Sequence, residues 1–159
     1  MLMMEKYLRL LNPKTTNYES TGGGSFGSLT TQDICLALSY ARFTAVQSHL
    51  VRLYALNQNS IDEIKLSTKI IHKELALKKQ IELTEDYEIS LFIALVELCK
   101  VPVNYKPSER NRAVIGGVSR MQIQRHLNRL IDELKKQLKN EIDIVEEKII
   151  YQLNKSTNR

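Results

Sequence analysis

The feature that most constrains the fold is a long amphipathic segment from Ser119 toward Leu153. Its apolar residues recur at intervals of three and four over several turns, which is the spacing of one face of an α-helix. Asn140 is the polar position that could interrupt this face. The spacing predicts one long helix whose apolar face either packs on the other helices or forms a homodimer with a second copy through residues 127–153. The apolar positions are Leu127, Leu130, Leu134, Leu138, Ile142, Val145 and Ile149.

The chain between residues 29 and 100 also has helical apolar spacing, and we find no convincing strand. Thr30 or Thr31 can cap a helix whose pattern continues, with a bend, to the NQNS sequence at 57–60. Ser60 starts a second helix through a capping box, and Thr84 starts a third. The fold class we expect is all-α, a multi-helix domain. Its core is predicted to include Ile34, Leu38, Ala41, Ile64, Ile71, Leu75, Leu77, Leu91, Phe92, Leu95 and Leu98.

Residues 12–28, NPKTTNYESTGGGSFGS, have the polar composition of a flexible linker. Their glycines match the dinucleotide pattern G-x-G-x-x-G, but no strand precedes them, so we interpret the segment as a connector. We therefore divide the chain into an N-terminal arm and linker (1–28), a helical domain (29–100) and a segment with a helix-turn-helix and the long C-terminal helix (101–159).

The sequence AVIGGVSRMQIQRHLNRL at 113–130 contains, in order, the residue types that a helix-turn-helix requires. Ala113 is the small residue that allows the second helix to cross close by. Gly117, four residues later, suits a turn with positive φ, and Ser119 can cap the second helix. The buried side of the motif is predicted to consist of Val118, Ile123 and Leu127.

The same region is strongly basic, which favours a site for double-stranded DNA. Residues 100–129 contain seven lysines and arginines and a single acid, Glu109, whereas the whole chain has a net charge of +5. Outward side chains at the second helix would contact bases, because Arg and Gln make paired hydrogen bonds to guanine and adenine. We predict Arg120, Gln122, Gln124 and Arg125 for this role, and Lys106, Arg110, Arg112 and Arg129 for phosphates. In the opposing interpretation, the glycine pair merely separates two helices of a bundle that binds no DNA.

Two blocks of the sequence resemble the late-gene antitermination (Q) proteins of lambdoid phages. The first comprises Asn12-Pro13-Lys14-Thr15 and Ser28-Leu29-Thr30 with Asp33-Ile34. The second, Val118-Ser119-Arg120-Met121, resembles the S-R-M run that opens a helix in that family. Lambda-type members carry a cysteine-rich zinc hairpin just before this run, and this chain has none.

The resemblance implies a protein without enzymatic activity that acts in transcription antitermination. Such proteins bind a DNA element near a late promoter, engage paused RNA polymerase and suppress termination. In this chain the helix-turn-helix would bind the element and the N-terminal helices would contact bacterial RNA polymerase.

Two other functions stay open from the sequence. One is a helix-turn-helix repressor that dimerises through residues 127–153 and binds a two-fold symmetric site. The other is a helical adaptor or inhibitor whose basic patch binds an acidic protein partner.

The sequence has no clear candidate for a catalytic site, a metal site or a membrane-spanning segment. The three histidines, His49, His72 and His126, are isolated, so we expect no enzyme, no metal site and no cofactor. Cys35 and Cys99 lie in apolar helical patterns and are expected to be buried thiols. No apolar run is long enough to span a bilayer, and the N-terminal residues do not resemble a signal peptide. We expect a cytoplasmic protein, in the bacterial host cytoplasm if it is phage-encoded.

Overall fold

A computed structural model of the chain describes residues 30–56, 58–80, 82 and 84–157. These residues form helices and no strand, which confirms the all-α prediction. The predictions for residues 1–28, including the linker and the part of the first resemblance block before Thr30, lie outside the described residues. The helices are α1 Thr31–Tyr40, α2 Ala45–Leu50, α3 Ile61–Lys79, α4 Glu85–Cys99, α5 Glu109–Gly116, α6 Arg120–Gln122 and α7 Asn128–Thr157, with π-helical turns at Val51–Ala55 and Ile123–Leu127.

The predicted helix starts are confirmed by their capping hydrogen bonds. Thr30, not Thr31, caps α1: its hydroxyl accepts from the Asp33 backbone N–H, and the Asp33 carboxylate accepts from the Thr30 backbone N–H. Ser60 caps α3 through the predicted capping box. Thr84 caps α4 by accepting from the backbone N–H of Tyr87. Each cap satisfies a backbone donor that the first helical turn leaves without a partner.

The helix predicted to continue with a bend beyond Tyr40 is instead interrupted at residues 41–44. Arg42 has a φ of 53°, outside the helical region. Thr44 then starts α2 through a capping box with Gln47. The polar Thr44 and Gln47 lie three residues apart, which is the spacing that a new helix start requires.

The core is built around α4, in which every residue from Ser90 to Leu98 is buried. Helix α7 packs against α1, α2 and α4 with its apolar face. Leu134, Leu138, Ile142, Val145 and Ile149 are each no more than 3% exposed. The apolar face of α7 therefore packs on the other helices of the same chain, which is the first of the two arrangements predicted for it. A homodimer through residues 127–153 would have to use the exposed side of the helix, which carries Ile144 and Tyr151 among polar residues.

The buried side chains form one cluster that extends from Ile34 to Leu153. The segments 29–100 and 101–159 therefore share a core. Asn140 lies on the exposed side of α7 and does not interrupt the helix. No helix in the described part of the chain is long and apolar enough to cross a membrane.

Two side chains predicted to be buried are exposed, and a third is only partly buried against the core. Leu77 is 75% exposed on the outer face of α3. Cys35 is exposed, because Ile34 and Ala37 form the buried side of α1. Cys99 is only half-buried, although burial raises the pKa of its thiol to about 12.

Candidate nucleic-acid interface

The turn after α5 has the geometry of a Schellman motif. The backbone N–H of Val118 donates to the carbonyl of Ala113 at 3.1 Å, and the N–H of Gly117 donates to the carbonyl of Val114 at 3.4 Å. Gly117 has a φ of 67°, in the left-handed region that glycine adopts without strain. The positive φ predicted for Gly117 is confirmed.

The second helix of the motif starts as predicted at Ser119. Its hydroxyl accepts from the backbone N–H of Gln122 at 3.1 Å. From Arg120 the chain continues through a π-helical turn into α7 without a break. Ile123 and Leu127 are at most 1% exposed and belong to the core, and Ala113 is buried as well. The predicted inner side of the motif is thus confirmed, with Val118 partly buried against the same core.

The other glycine, Gly116, has a different role, which the sequence analysis missed. A Cβ at this position would lie 2.8 Å from Cδ1 of Ile93 and 3.2 Å from Cγ2 of Ile89, both on α4. Gly116 therefore allows α5 to approach α4 closely, whereas no atom lies within 4 Å of a Cβ on Gly117. The presence of two adjacent glycines was the only sign in the sequence that position 116 must lack a Cβ.

Arg112 is not available to a phosphate, so its predicted role is wrong. Its side chain is only 9% exposed. Its Nε and Nη2 atoms donate to Oε2 and Oε1 of Glu97, each at 2.8 Å. The Glu97 side chain is fully buried, and moving Arg112 outward would leave that carboxylate without its main partner.

The Glu97–Arg112 pair is the centre of a larger polar cluster. Glu97 also accepts from the Tyr105 hydroxyl at 2.9 Å and from Nζ of Lys135 at 3.0 Å. Arg112 donates to Asn128 at 2.9 Å and to Asp132 at 3.1 Å. The cluster thus joins α4, the 101–108 link, α5 and α7. It fixes both helices of the motif to the rest of the molecule.

The protonation of this cluster follows from its burial and its hydrogen bonds. Burial by itself would raise the pKa of Glu97, but the hydrogen bonds from Arg112 and Lys135 hold it below its ordinary value. The hydrogen bonds to Glu97 raise the pKa of Arg112, against the effect of burial. Burial and the Glu97 charge raise the pKa of Tyr105, so its hydroxyl stays a donor.

Three of the four predicted base-contacting residues are exposed. Arg120, Gln124 and Arg125 lie on the surface, with Nε of Arg120 3.4 Å from the Glu109 carboxylate. Gln122 is half-buried and donates to Oδ1 of Asp86 at 3.2 Å. It is therefore directed toward α4 and away from the outward face on which it was predicted.

Met121 replaces Gln122 on that face. Its side chain is 57% exposed, and it precedes Arg125 and Arg129 by one and two helical turns. The four-residue spacing of these three residues was present in the sequence. The prediction placed only polar residues on the outward face and therefore did not include Met121.

The remaining basic residues predicted to contact phosphates are exposed. Lys106 and Arg110 lie on the surface of the link and of α5. Arg129 is 3.4 Å from Glu133, with both side chains largely exposed, so this ion pair is weak and open to exchange. We call the exposed residues of this region the α5–α6 surface: Lys106, Arg110, Arg120, Met121, Gln124, Arg125 and Arg129.

Comparison of the chain with protein-family models, curated proteins and solved structures finds no match. The resemblance to the antitermination proteins stays a prediction. Within the part of the chain that the structure describes, no cluster of His, Cys, Asp and Glu side chains could hold a metal ion.

We predict opposite substitution patterns at the two glycines. Gly117→Asn should change the free energy of unfolding by less than about 0.5 kcal/mol, since asparagine tolerates positive φ, whereas Gly117→Val should cost about 1–2 kcal/mol. Gly116→Ala should cost about 1–3 kcal/mol through overpacking against Ile93. Urea denaturation measures the free energy of unfolding of all three variants. An unchanged midpoint for Gly117→Val would contradict the assigned turn.

A second prediction concerns the buried pair. Glu97→Gln should cost about 3–5 kcal/mol at pH 7, because it removes the buried counter-ion of Arg112 and leaves only the exposed Asp132 carboxylate. The lowered pKa of Glu97 stabilises the fold above its ordinary value of 4.5, and this contribution is lost as the pH falls through the folded value. The difference between wild type and variant should therefore shrink below about pH 4.5.

The matched control is Glu133→Gln, which removes an exposed partner of Arg129. It should change stability by less than about 1 kcal/mol at any pH. Equal losses for the two variants in urea denaturation at pH 7 would show that Glu97 does not have the structural role assigned to it.

Proposed function

We propose that the protein is a sequence-specific DNA-binding transcription regulator that places the helix beginning at Arg120 in the major groove. The observation that carries this proposal is the combination of a left-handed Gly117 turn, a Ser119 cap and an outward Arg/Gln face on a helix whose inner side is core. Such a helix can enter the groove without exposing apolar core residues.

The chemistry of the outward face fits the edges of base pairs. The guanidinium groups of Arg120 and Arg125 can donate to O6 and N7 of guanine, and the amide of Gln124 can pair with N6 and N7 of adenine. The exposed Met121 supplies an apolar contact of the kind that the thymine methyl group accepts. These contacts would specify sequence, and Gln122 would not take part because it hydrogen-bonds to Asp86.

The surrounding basic residues would supply affinity and register. Lys106, Arg110 and Arg129 are exposed on the α5–α6 surface, where they can pair with phosphates. Arg112 contributes indirectly, because it fixes α5 and α7 relative to each other through Glu97 and Asn128. A fixed helix orientation is what allows several side chains to contact adjacent bases at once.

We propose that the mode of regulation is antitermination. Bacterial RNA polymerase is then a second partner of the protein. The resemblance of residues 12–34 and 118–121 to late antitermination proteins supports this step. The packing of α7 also bears on the rival repressor, because the chain's own helices cover the apolar face predicted to form the dimer, including Leu134, Leu138 and Ile142. A repressor dimer would need another interface.

Binding to duplexes selected from a random pool tests the DNA proposal. Gln124→Ala and Arg125→Ala should each reduce discrimination against random duplex by about 1–3 kcal/mol, which is about 5- to 150-fold. Arg129→Ala should weaken binding to all duplexes equally and lower the salt slope by about one. Arg52→Ala, an exposed arginine on the π-helical turn Val51–Ala55, is the matched control and should change nothing. Equal affinity of wild type and variants for selected and random duplexes would overturn the proposal.

Purified, nuclease-treated RNA polymerase tests the second partner. We expect the immobilised protein to retain polymerase after nucleic acid has been removed, since the contact is protein to protein. The Arg125→Ala variant should retain it equally well. Loss of all polymerase after nuclease treatment would remove the antitermination step and leave a plain DNA-binding regulator.

A further inference from the structure

Glu109 is the single acid among residues 100–129, and it contacts an arginine that is predicted to contact bases. It is the first residue of α5, and its Oε2 atom accepts a hydrogen bond from Nε of Arg120 at 3.4 Å. Arg120 is the first residue of α6. A carboxylate at this place repels the phosphates of bound DNA. Any benefit of Glu109 to DNA binding must therefore come from its effect on Arg120.

The Glu109–Arg120 pair joins two fixed points of the backbone. Ser108 caps α5 at the residue directly before Glu109, and Ser119 caps α6 directly before Arg120. The Glu109 side chain is 33% exposed, whereas that of Arg120 is 72% exposed. The carboxylate is thus the more confined partner. Such a partner on a capped helix holds an exposed side chain in a narrower range of orientations than solvent does.

The hydrogen bond to Glu109 occupies only the Nε edge of the Arg120 guanidinium group. Nη1 and Nη2 carry the remaining N–H groups. Neither of these two atoms has a hydrogen-bond partner among the described residues. Two nitrogen atoms of one guanidinium group can pair with O6 and N7 of guanine. Arg120 can therefore keep its bond to Glu109 while Nη1 and Nη2 donate to a guanine.

We propose that Glu109 is a positioning residue that orients Arg120 toward a guanine in the major groove. This role rests on the proposed DNA-binding function, to which it adds the residue that sets a base preference. A side chain that is held in its bound orientation beforehand loses less conformational entropy on binding. The same hydrogen bond restrains Arg120 from turning to a phosphate, which every duplex offers. Glu109 thus lowers the general affinity for DNA and raises discrimination between sequences.

The pair of Arg129 and Glu133 has similar geometry but a different expected role. Nε of Arg129 also lies 3.4 Å from a carboxylate oxygen, and the two side chains are 92% and 55% exposed. Arg129 is predicted to contact a phosphate, which carries no sequence information. Removing the Glu133 carboxylate should therefore strengthen binding to all duplexes alike. Glu133 provides the matched control for Glu109.

Binding to a selected duplex, and to duplexes in which one base pair at a time is replaced, tests the role of Glu109. Loss of preference in Arg120→Ala identifies the base pair that Arg120 contacts. Glu109→Ala should reduce discrimination at that pair by about two- to fivefold, the range expected of an exposed ion pair. Glu109→Gln should retain most of the discrimination, because its amide oxygen can still accept from Nε. Glu133→Ala should leave discrimination unchanged at every base pair.

A double-mutant cycle tests whether Glu109 acts through Arg120. In the Arg120→Ala background, Glu109→Ala should have no further effect on discrimination. An effect that persists there would overturn the proposal. Equal effects of Glu109→Ala and Glu133→Ala on discrimination would also overturn it. So would equal losses in Glu109→Ala and Glu109→Gln, because both remove the charge at the start of α5 and only the alanine removes the acceptor.

The wild-type protein separates failure of this role from failure of the DNA proposal. If it binds selected and random duplexes alike, the DNA-binding function is overturned, and the role of Glu109 with it. If it discriminates but the Glu109 and Glu133 variants behave alike, only the role of Glu109 is overturned. Circular dichroism checks that each variant is folded.

Discussion

The paired hydrogen bonds between Arg112 and Glu97 are the interaction on which the placement of the motif depends. Glu97 lies in the fully buried middle of α4, and Arg112 lies in α5. Lys135, Asn128 and Asp132 complete the cluster from α7. A buried pair of this kind adds little to stability compared with apolar residues, but losing one member is costly. It therefore acts mainly to fix the orientation of α5 and α7 on the core.

The fold could be predicted from sequence because its determinants are local. Helical spacing located the buried face of α7, and Ser60, Thr84 and Ser119 lie three residues before the backbone donors that they cap. The break after α1 was missed because helical spacing continues through residues 41–44, where Arg42 adopts a positive φ. Leu77 was misplaced because periodicity identifies an apolar face but does not show whether a neighbour covers it.

The candidate site was predicted less completely, because side-chain partners come from distant parts of the chain. Arg112 was counted with the basic patch, and its partner Glu97 is an acid inside the apolar run LFIALVELCK. Gln122 was placed outward, and its partner Asp86 is on another helix. The role of Gly116 depends on Ile93, which only the three-dimensional structure brings near. By contrast, the structural roles of four residues depend only on the local turn and were predicted correctly. These residues are Gly117, Ser119, Ile123 and Leu127.

The central claim is that the exposed face of the helix beginning at Arg120 contacts DNA bases. Its most direct test is an NMR titration of the isotope-labelled protein with a selected duplex, followed through backbone amide and arginine side-chain resonances. We expect large shifts at Arg120, Met121, Gln124 and Arg125, with smaller ones at Lys106, Arg110 and Arg129 and none in α3. Shifts confined to other helices, or identical shifts with selected and random duplexes, would contradict the claim.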